Sequence, residues 1–214
     1  MGKTILYIDG ENFLFKVADL LRNDGKIRQK SEIIKFKFSM ICKSALSDFS
    51  VSSCKFYAAK VHLQDTNNID MPSSVKPLDI ETLKIKSELI IESQRRLKRS
   101  LMNDKVEFIM SGNVRLQEII PSVGKKPAKF IFKEKGTDVQ LAVDIMSDVC
   151  DGKVSTILLL SSDSDMHPIV REAKRRGCKV VYVGFENVPN VGLSNNCNQT
   201  VLLRKKEIID AWIG

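Results

Sequence analysis

Two hydrophobic periods alternate along the chain. Short apolar runs with β-branched or aromatic residues predict strands at "KTILYIDG" (3–10), "CKFYAAKV" (54–61), "KVEFIM" (105–110), 154–161 and "KVVYVGF" (179–185). Between them the spacing turns helical. A helix is predicted over 12–23, ended by Asp24-Gly25. Ser31 is placed to cap a second, whose Ile34, Phe38, Ile41 and Ala45 lie at i, i+4, i+7 and i+11. A long helix over 79–102 sets Leu83, Ile90 and Leu97 on one side. Further helices are predicted over 137–150 and 167–176, with Pro168 in the first turn of the latter and Gly177 just past its end, and over the tail from 204. "NVRLQEI" (113–119) and "AKFIFK" (128–133) predict an added hairpin around "PSVGKKP", and 63–77 is a polar loop. Strands alternating with helices, with almost uncharged strand interiors, predict a three-layer α/β/α fold with a mainly parallel central sheet plus a small inserted hairpin. The expectation is one domain over 1–214, with insertions at about 63–77 and 112–134.

Composition narrows the function without naming it. The chain has 214 residues, 43% of them hydrophobic, and no run approaches the roughly 18 apolar residues that would span a bilayer. The start, "MGKTILYID", passes directly into a strand without a leader pattern, so a cytoplasmic protein is expected. Five scattered cysteines (42, 54, 150, 178, 197) with no C-x-x-C pair argue against a disulfide framework and a structural zinc site. Only His62 and His167 offer imidazoles. A formal charge of +8 favours a polyanionic partner such as RNA or DNA.

The acids carry more information. In parallel α/β sheets, ligands bind outside the carboxyl ends of strands, where strand order reverses. Asp9 closes the first predicted strand, and Gly10 after it permits a tight turn and close backbone approach. Asp163 and Asp165 follow the 154–161 strand. Asp138 opens a helix in register with Leu141, Ala142, Ile145 and Val149, at the N-terminal end of the buried stripe. Asp144 is six residues on, about 240° around the helix, and ranks lower. Each acid alone has an ordinary reading as a turn residue, a helix cap or a first-turn acid. Together they point to one edge. Two carboxylates 4 Å apart at an effective dielectric of about 20 repel by roughly 4 kcal/mol, so such a cluster takes up protons or a cation. Oxygen-only ligands match Mg²⁺ or Mn²⁺ rather than Zn²⁺.

Three segments, "YIDGENF" (7–13), "KGTDVQLAVDIM" (135–146) and "LLLSSDSDMHPIV" (158–170), followed by "GCKVVYVGF", resemble the NYN domain. This is a branch of the PIN-like metal-dependent ribonucleases, and the resemblance, over about 5–185, is closest to its LabA-like members. It implies a PIN-like, Rossmann-like sheet, an acidic pocket for Mg²⁺ or Mn²⁺, and RNA cleavage, as an endoribonuclease. Residue by residue it implies that Asp9, Asp138, Asp163 and Asp165 are the catalytic and metal-binding acids. It also implies substrate or loop contacts for Asn12, Ser161, Ser162 and Ser164. Ser162 stands where the family usually has Gly, Met166 where it has Phe, and "GLSNNCNQTVLL" lacks an acid common before the last strand.

Basic residues are weaker signals. Lys135 directly precedes the acidic helix and is expected near the pocket mouth, while Lys125, Lys126, Lys129 and Lys133 are candidate phosphate contacts. For "SQRRLKRS" (93–100) a solvated face is the commoner role. His167 stands beside the acids and could donate to a leaving group, although a plain first-turn helix residue is the commoner case. Trp212 and most phenylalanines are expected in the core. Two other functions compete with a nuclease: a non-catalytic RNA-binding module, and a haloacid-dehalogenase-type phosphatase. The second wants an acid two residues beyond the nucleophile, where Glu11 stands, and lacks convincing downstream motifs. A homodimer is compatible with this reading.

Overall fold

The computed structural model describes residues 2–60, 77–119 and 129–213. The predicted loop at 63–77 lies outside them except for Pro77, which opens a helix, and so does the hairpin turn carrying Lys125 and Lys126. The strands are β1 (Lys3–Asp9), β2 (Val51–Lys60), β3 (Val106–Ile119), β4 (Lys129–Lys135), β5 (Val154–Leu160), β6 (Lys179–Phe185) and β7 (Gln199–Leu203). They form one sheet in the order β4-β3-β2-β1-β5-β6-β7, parallel throughout except for β4, which runs antiparallel to β3. Strand order therefore reverses between β1 and β5, whose carboxyl ends carry Asp9 and the segment beginning at Ser161.

Alternation along the central strands divides the core in two. Leu6, Ile8, Phe56, Leu158 and Val181 pack on one face with α1 (Gly10–Asn23), α2 (Phe38–Lys43), α3 (Pro77–Asn103) and α7 (Lys205–Ala211). Phe13 sits at the centre of that layer, with the rings of Phe36, Phe38, Phe56 and Phe185 between 4.8 and 6.4 Å away. Ile5, Tyr7, Tyr57, Leu159 and Tyr182 face the other layer, α4 (Thr137–Cys150), α5 (His167–Arg175) and α6 (Val191–Asn196). The three-layer α/β/α arrangement expected from the sequence is what forms.

Several local expectations need correction. The helix expected after Ser31 breaks into a 3-10 turn over Lys30–Lys35 and the short α2, because Phe36 is extended and bridges Trp212. Gln29 stands at the N-terminal cap of that turn, so Ser31 lies within it. The first arm of the expected hairpin is no separate strand: β3 continues through Gly112 (φ +69°) to Ile119. On α3, Leu97 and Leu101 are buried, whereas Ile90 is 37% exposed and Leu89 62%. The helix thus outruns the core that its C-terminal half covers. α6 and β7 were not anticipated.

Candidate metal centre

Asp9 is the most constrained acid of the edge. It is 5% exposed, caps α1 by accepting the Asn12 amide at Oδ1 (3.1 Å), and accepts the Ser161 hydroxyl at Oδ2 (2.8 Å). Gly10 makes this turn feasible: a Cβ there would lie 2.2 Å from the Tyr57 carbonyl oxygen and 2.4 Å from the Phe56 ring. Asp9 shares the parity of Ile5 and Tyr7, which faces it toward the α4 layer.

Ser161 joins the two sides of the switch point. Its Oγ donates to Asp9 and accepts the Asp163 amide (3.1 Å). The acid loop beyond it is tied down from both flanks. From α1, the Asn12 Oδ1 accepts the Ser162 amide (3.2 Å). From the β6–α6 connection, the Asn190 Nδ2 donates to the Ser162 carbonyl (2.9 Å) and the Ser164 Oγ (3.2 Å). Asp163 accepts the Asp165 amide (2.9 Å) and so caps a short 3-10 turn over Ser164–Met166. Sequence reasoning missed Asn190. Its available signal was an Asn just ahead of a short helix, where it accepts the Leu193 amide as a cap (2.9 Å).

Asp138 arrives from α4. That helix starts after Gly136 in the left-handed region (φ +91°), and Thr137 donates its hydroxyl to the Ser111 carbonyl (2.9 Å). Gly112 is required at this junction, since a Cβ would sit 2.4 Å from the Lys135 carbonyl oxygen. Asp138 itself is exposed. Asp144 does a different job. It accepts the Tyr57 hydroxyl (3.0 Å) and the Gln140 amide (2.7 Å), fastening α4 to β2. The His167 ring packs over Gly192, where a Cβ would meet Nε2 at 2.9 Å. Glu11 points to Lys30 (2.6 Å) and is exposed, so it is already occupied elsewhere. Lys135 is exposed beside the start of α4.

The field at this edge is unbalanced. Burial raises Asp9 to about 6; the bonds from Asn12 and Ser161 oppose this, and the charges of Asp138 and Asp163 add to it. Asp138, exposed yet partly desolvated by its surroundings, is raised by that desolvation first and then by the charges of Asp163 and Asp165. The four acids therefore act on one another, and among the described residues none of them is in a salt bridge. The Ser162 hydroxyl beside them is buried with no hydrogen-bond partner among the described residues. This donor set is all oxygen, suits a hard divalent cation, and has no cation of its own. Its arrangement is open: among the described residues no three His, Cys, Asp or Glu side chains are gathered closely enough to grip one ion.

Comparison with known proteins supplies the family. An uncharacterized protein, MJ0482, of Methanocaldococcus jannaschii is 32% identical over 73 residues, which is 34% of this chain and 30% of that protein. The chain thus matches under a third of that relative's length. A crystal structure of a protein of unknown function, VPA0982, from Vibrio parahaemolyticus superposes with a TM-score of 0.54 over 94% of this chain and 93% of that one. At 15% identity that likeness speaks for the fold alone. Among the described residues no helix is long and apolar enough to cross a membrane. The NYN domain matches residues 3–204, nearly the whole chain including all four edge acids, and the chain belongs to that family within the PIN-like nuclease superfamily.

Proposed function

We propose that the acidic edge is the centre of a divalent-metal-dependent endoribonuclease that hydrolyses RNA phosphodiester bonds. The observation that carries this reading is Asp9: a buried carboxylate held by neutral donors only, raised to about 6, and facing Asp138 and Asp163. A fold that gathers negative charge and leaves it unpaired is built to receive a cation. Mg²⁺ or Mn²⁺ bound there supplies a Lewis acid and a water acidified toward neutrality. Asp9, Asp138, Asp163 and Asp165 are the residues that would hold it. The rest of the set positions them. Ser161 fixes the spacing of Asp9 and Asp163, Asn12 sets the acid loop on the end of α1, the exposed Ser164 keeps its hydroxyl hydrogen for a phosphate oxygen while Asn190 holds its Oγ, and the exposed Lys135 can meet another. Ser162 offers the remaining hydroxyl.

The test is cleavage of single-stranded RNA with Mn²⁺ or Mg²⁺ present. A bound metal contributes several kcal/mol to the transition state, so Asp9→Asn or Asp163→Asn should lower kcat by on the order of 10³-fold with the fold intact. Unchanged cleavage by Asp9→Asn, and by wild type in EDTA, would falsify the assignment. RNA binding without any Mn²⁺ binding by calorimetry would instead identify a non-catalytic RNA-binding module.

A further inference from the structure

Charge is distributed unevenly along the carboxyl edge of the sheet. The acids occupy the β1–β5 crevice. On the β2–β3–β4 side the register aligns Lys60, Asn113 and Lys135 in one row across three strands, and both lysines are exposed. The long helix α3 reaches the same level. Its Gln94 Nε2 donates to the Ala59 carbonyl (2.6 Å), and Ala59 is two residues past Tyr57, the register partner of Asp9. That places Gln94 about 7 Å beyond the level of Asp9 along the strand direction. Arg95 and Arg99, one helical turn apart, are exposed there. Arg96 is exposed too, but Glu92 already neutralises it (3.0 Å). Among the described residues, Lys60, Arg95, Arg99 and Lys135 are in no ion pair.

We propose that Lys60, Arg95, Arg99 and Lys135 form a track along which the phosphate backbone of single-stranded RNA reaches the acidic edge. The proposal rests on the ribonuclease reading above and adds the side from which substrate arrives. Three arguments carry it. The cations stand at the same carboxyl edge as the acids, yet none is bonded to them, so each keeps its charge for another polyanion. Lys135 is three residues before Asp138, at most about 10 Å along the chain, so the track meets the pocket at its mouth. Lys60 and Lys135 share one row across three strands, and Arg95 and Arg99 lie one helical turn apart on α3, so the four offer separate charges to successive phosphates of one chain. The sequence "SQRRLKRS" alone reads as a solvated face; the Gln94–Ala59 bond is what brings it to the edge.

The test uses the full chain in EDTA, so that binding is measured without cleavage, with a fluorescent oligouridylate dodecamer as probe. Replacing Lys60, Arg95 and Arg99 together by Gln removes about three phosphate contacts. The slope of log K against log salt should then fall by about 2, and affinity by on the order of tenfold or more. Mn²⁺ affinity and the melting temperature serve as controls for the pocket and the fold. An unchanged salt slope in the triple variant would overturn the track, and so would wild type that fails to bind the dodecamer. Binding of phosphatidylserine vesicles in preference to the oligonucleotide would assign the same cations to a membrane surface, and also overturns it. An unchanged salt slope in the triple variant leaves the nuclease reading untouched; that reading stands or falls on metal-dependent cleavage and Asp9→Asn.

Discussion

Asp9 and Asp148 are two enclosed carboxylates in one layer of the same protein, and the fold treats them in opposite ways. Asp148, at 9% exposure, lies toward the amino end of the sheet. It accepts the Tyr7 hydroxyl (2.8 Å) and the Lys55 ammonium (2.6 Å). Burial pushes it up, but the Lys55 and Tyr7 bonds and the Lys55 and Lys153 charges outweigh that and hold it below the usual carboxylate range. Asp9, at the carboxyl end, receives an amide and a hydroxyl but no cation, and its neighbours are further acids. The fold can neutralise a buried acid when it has no use for the charge. That it does so at Asp148 makes the unpaired state of Asp9 a property of the site rather than of the sequence's supply of lysines, of which this chain has a surplus.

Neutralising each acid should therefore move stability in opposite directions. The larger effect is expected at Asp148→Asn, which leaves Lys55 enclosed without its counter-charge and should cost about 3 kcal/mol, read as a lower denaturant midpoint. At Asp9→Asn the expected change is a gain. A carboxyl raised to about 6 in the folded protein is ionised at neutral pH only at the expense of folding. Below about pH 4 the carboxyl is protonated in both the folded and unfolded states, so wild type and variant should match. As pH rises from about 4 to 6, the native protein holds the proton that the unfolded chain gives up, and wild type loses about 2–3 kcal/mol that Asp9→Asn keeps. Above pH 6 the gap is constant. Adding Mn²⁺ should close it by stabilising wild type only. A variant that melts below wild type at pH 7.5 would mean that Asp9 is a structural cap and nothing more.

How much of this contrast could be read from sequence depends on how local its causes are. β1, β5 and β6 are apolar runs bounded by turn residues, and Asp9-Gly10 announces its own turn, so the strands and the acids at their ends were legible. The rule that ligands sit where strand order reverses then pointed to the candidate edge without the actual strand order. The neutral surroundings of Asp9 were not legible, because Ser161 comes from 152 residues away and its hydroxyl could as well have faced solvent. Asp144 and Asp148 look alike on α4, and only their strand partners, Tyr57 on β2 and Tyr7 with Lys55, show that they are anchors. The helix after Ser31 failed because Phe36 and Phe38 both enter the core, which an unbroken helix would not allow. α6, six residues long, is too short to show a period, and β7 begins with the polar pair Gln199-Thr200 on the edge of the sheet.

Asn190 offers the finest cut through the comparison, because it supports the acids without being one. Gly184 leaves room for the Tyr182 ring, whose hydroxyl a Cβ at 184 would meet at 2.3 Å. That hydroxyl accepts the Asn190 amide (2.9 Å), and the Asn190 side chain then reaches Ser162 and Ser164 on either side of Asp163. Asn190→Ala removes the cap of α6 and the clamp together, and should cost about 1 kcal/mol. Asn190→Asp separates the two roles. Its oxygen still accepts the Leu193 amide, but it has no donor for the Ser162 carbonyl and adds a charge beside Asp163 and Asp165. If the clamp positions the acids, Asn190→Asp should melt nearer to wild type than Asn190→Ala does, yet show faster amide exchange at Ser164 and Asp165 and an altered Mn²⁺ affinity. Equal exchange at those amides in wild type and both variants would reduce Asn190 to a helix cap. The acid loop would then be held by Asn12 and Ser161 alone, and the stiffness of the edge would come entirely from the Asp9 side.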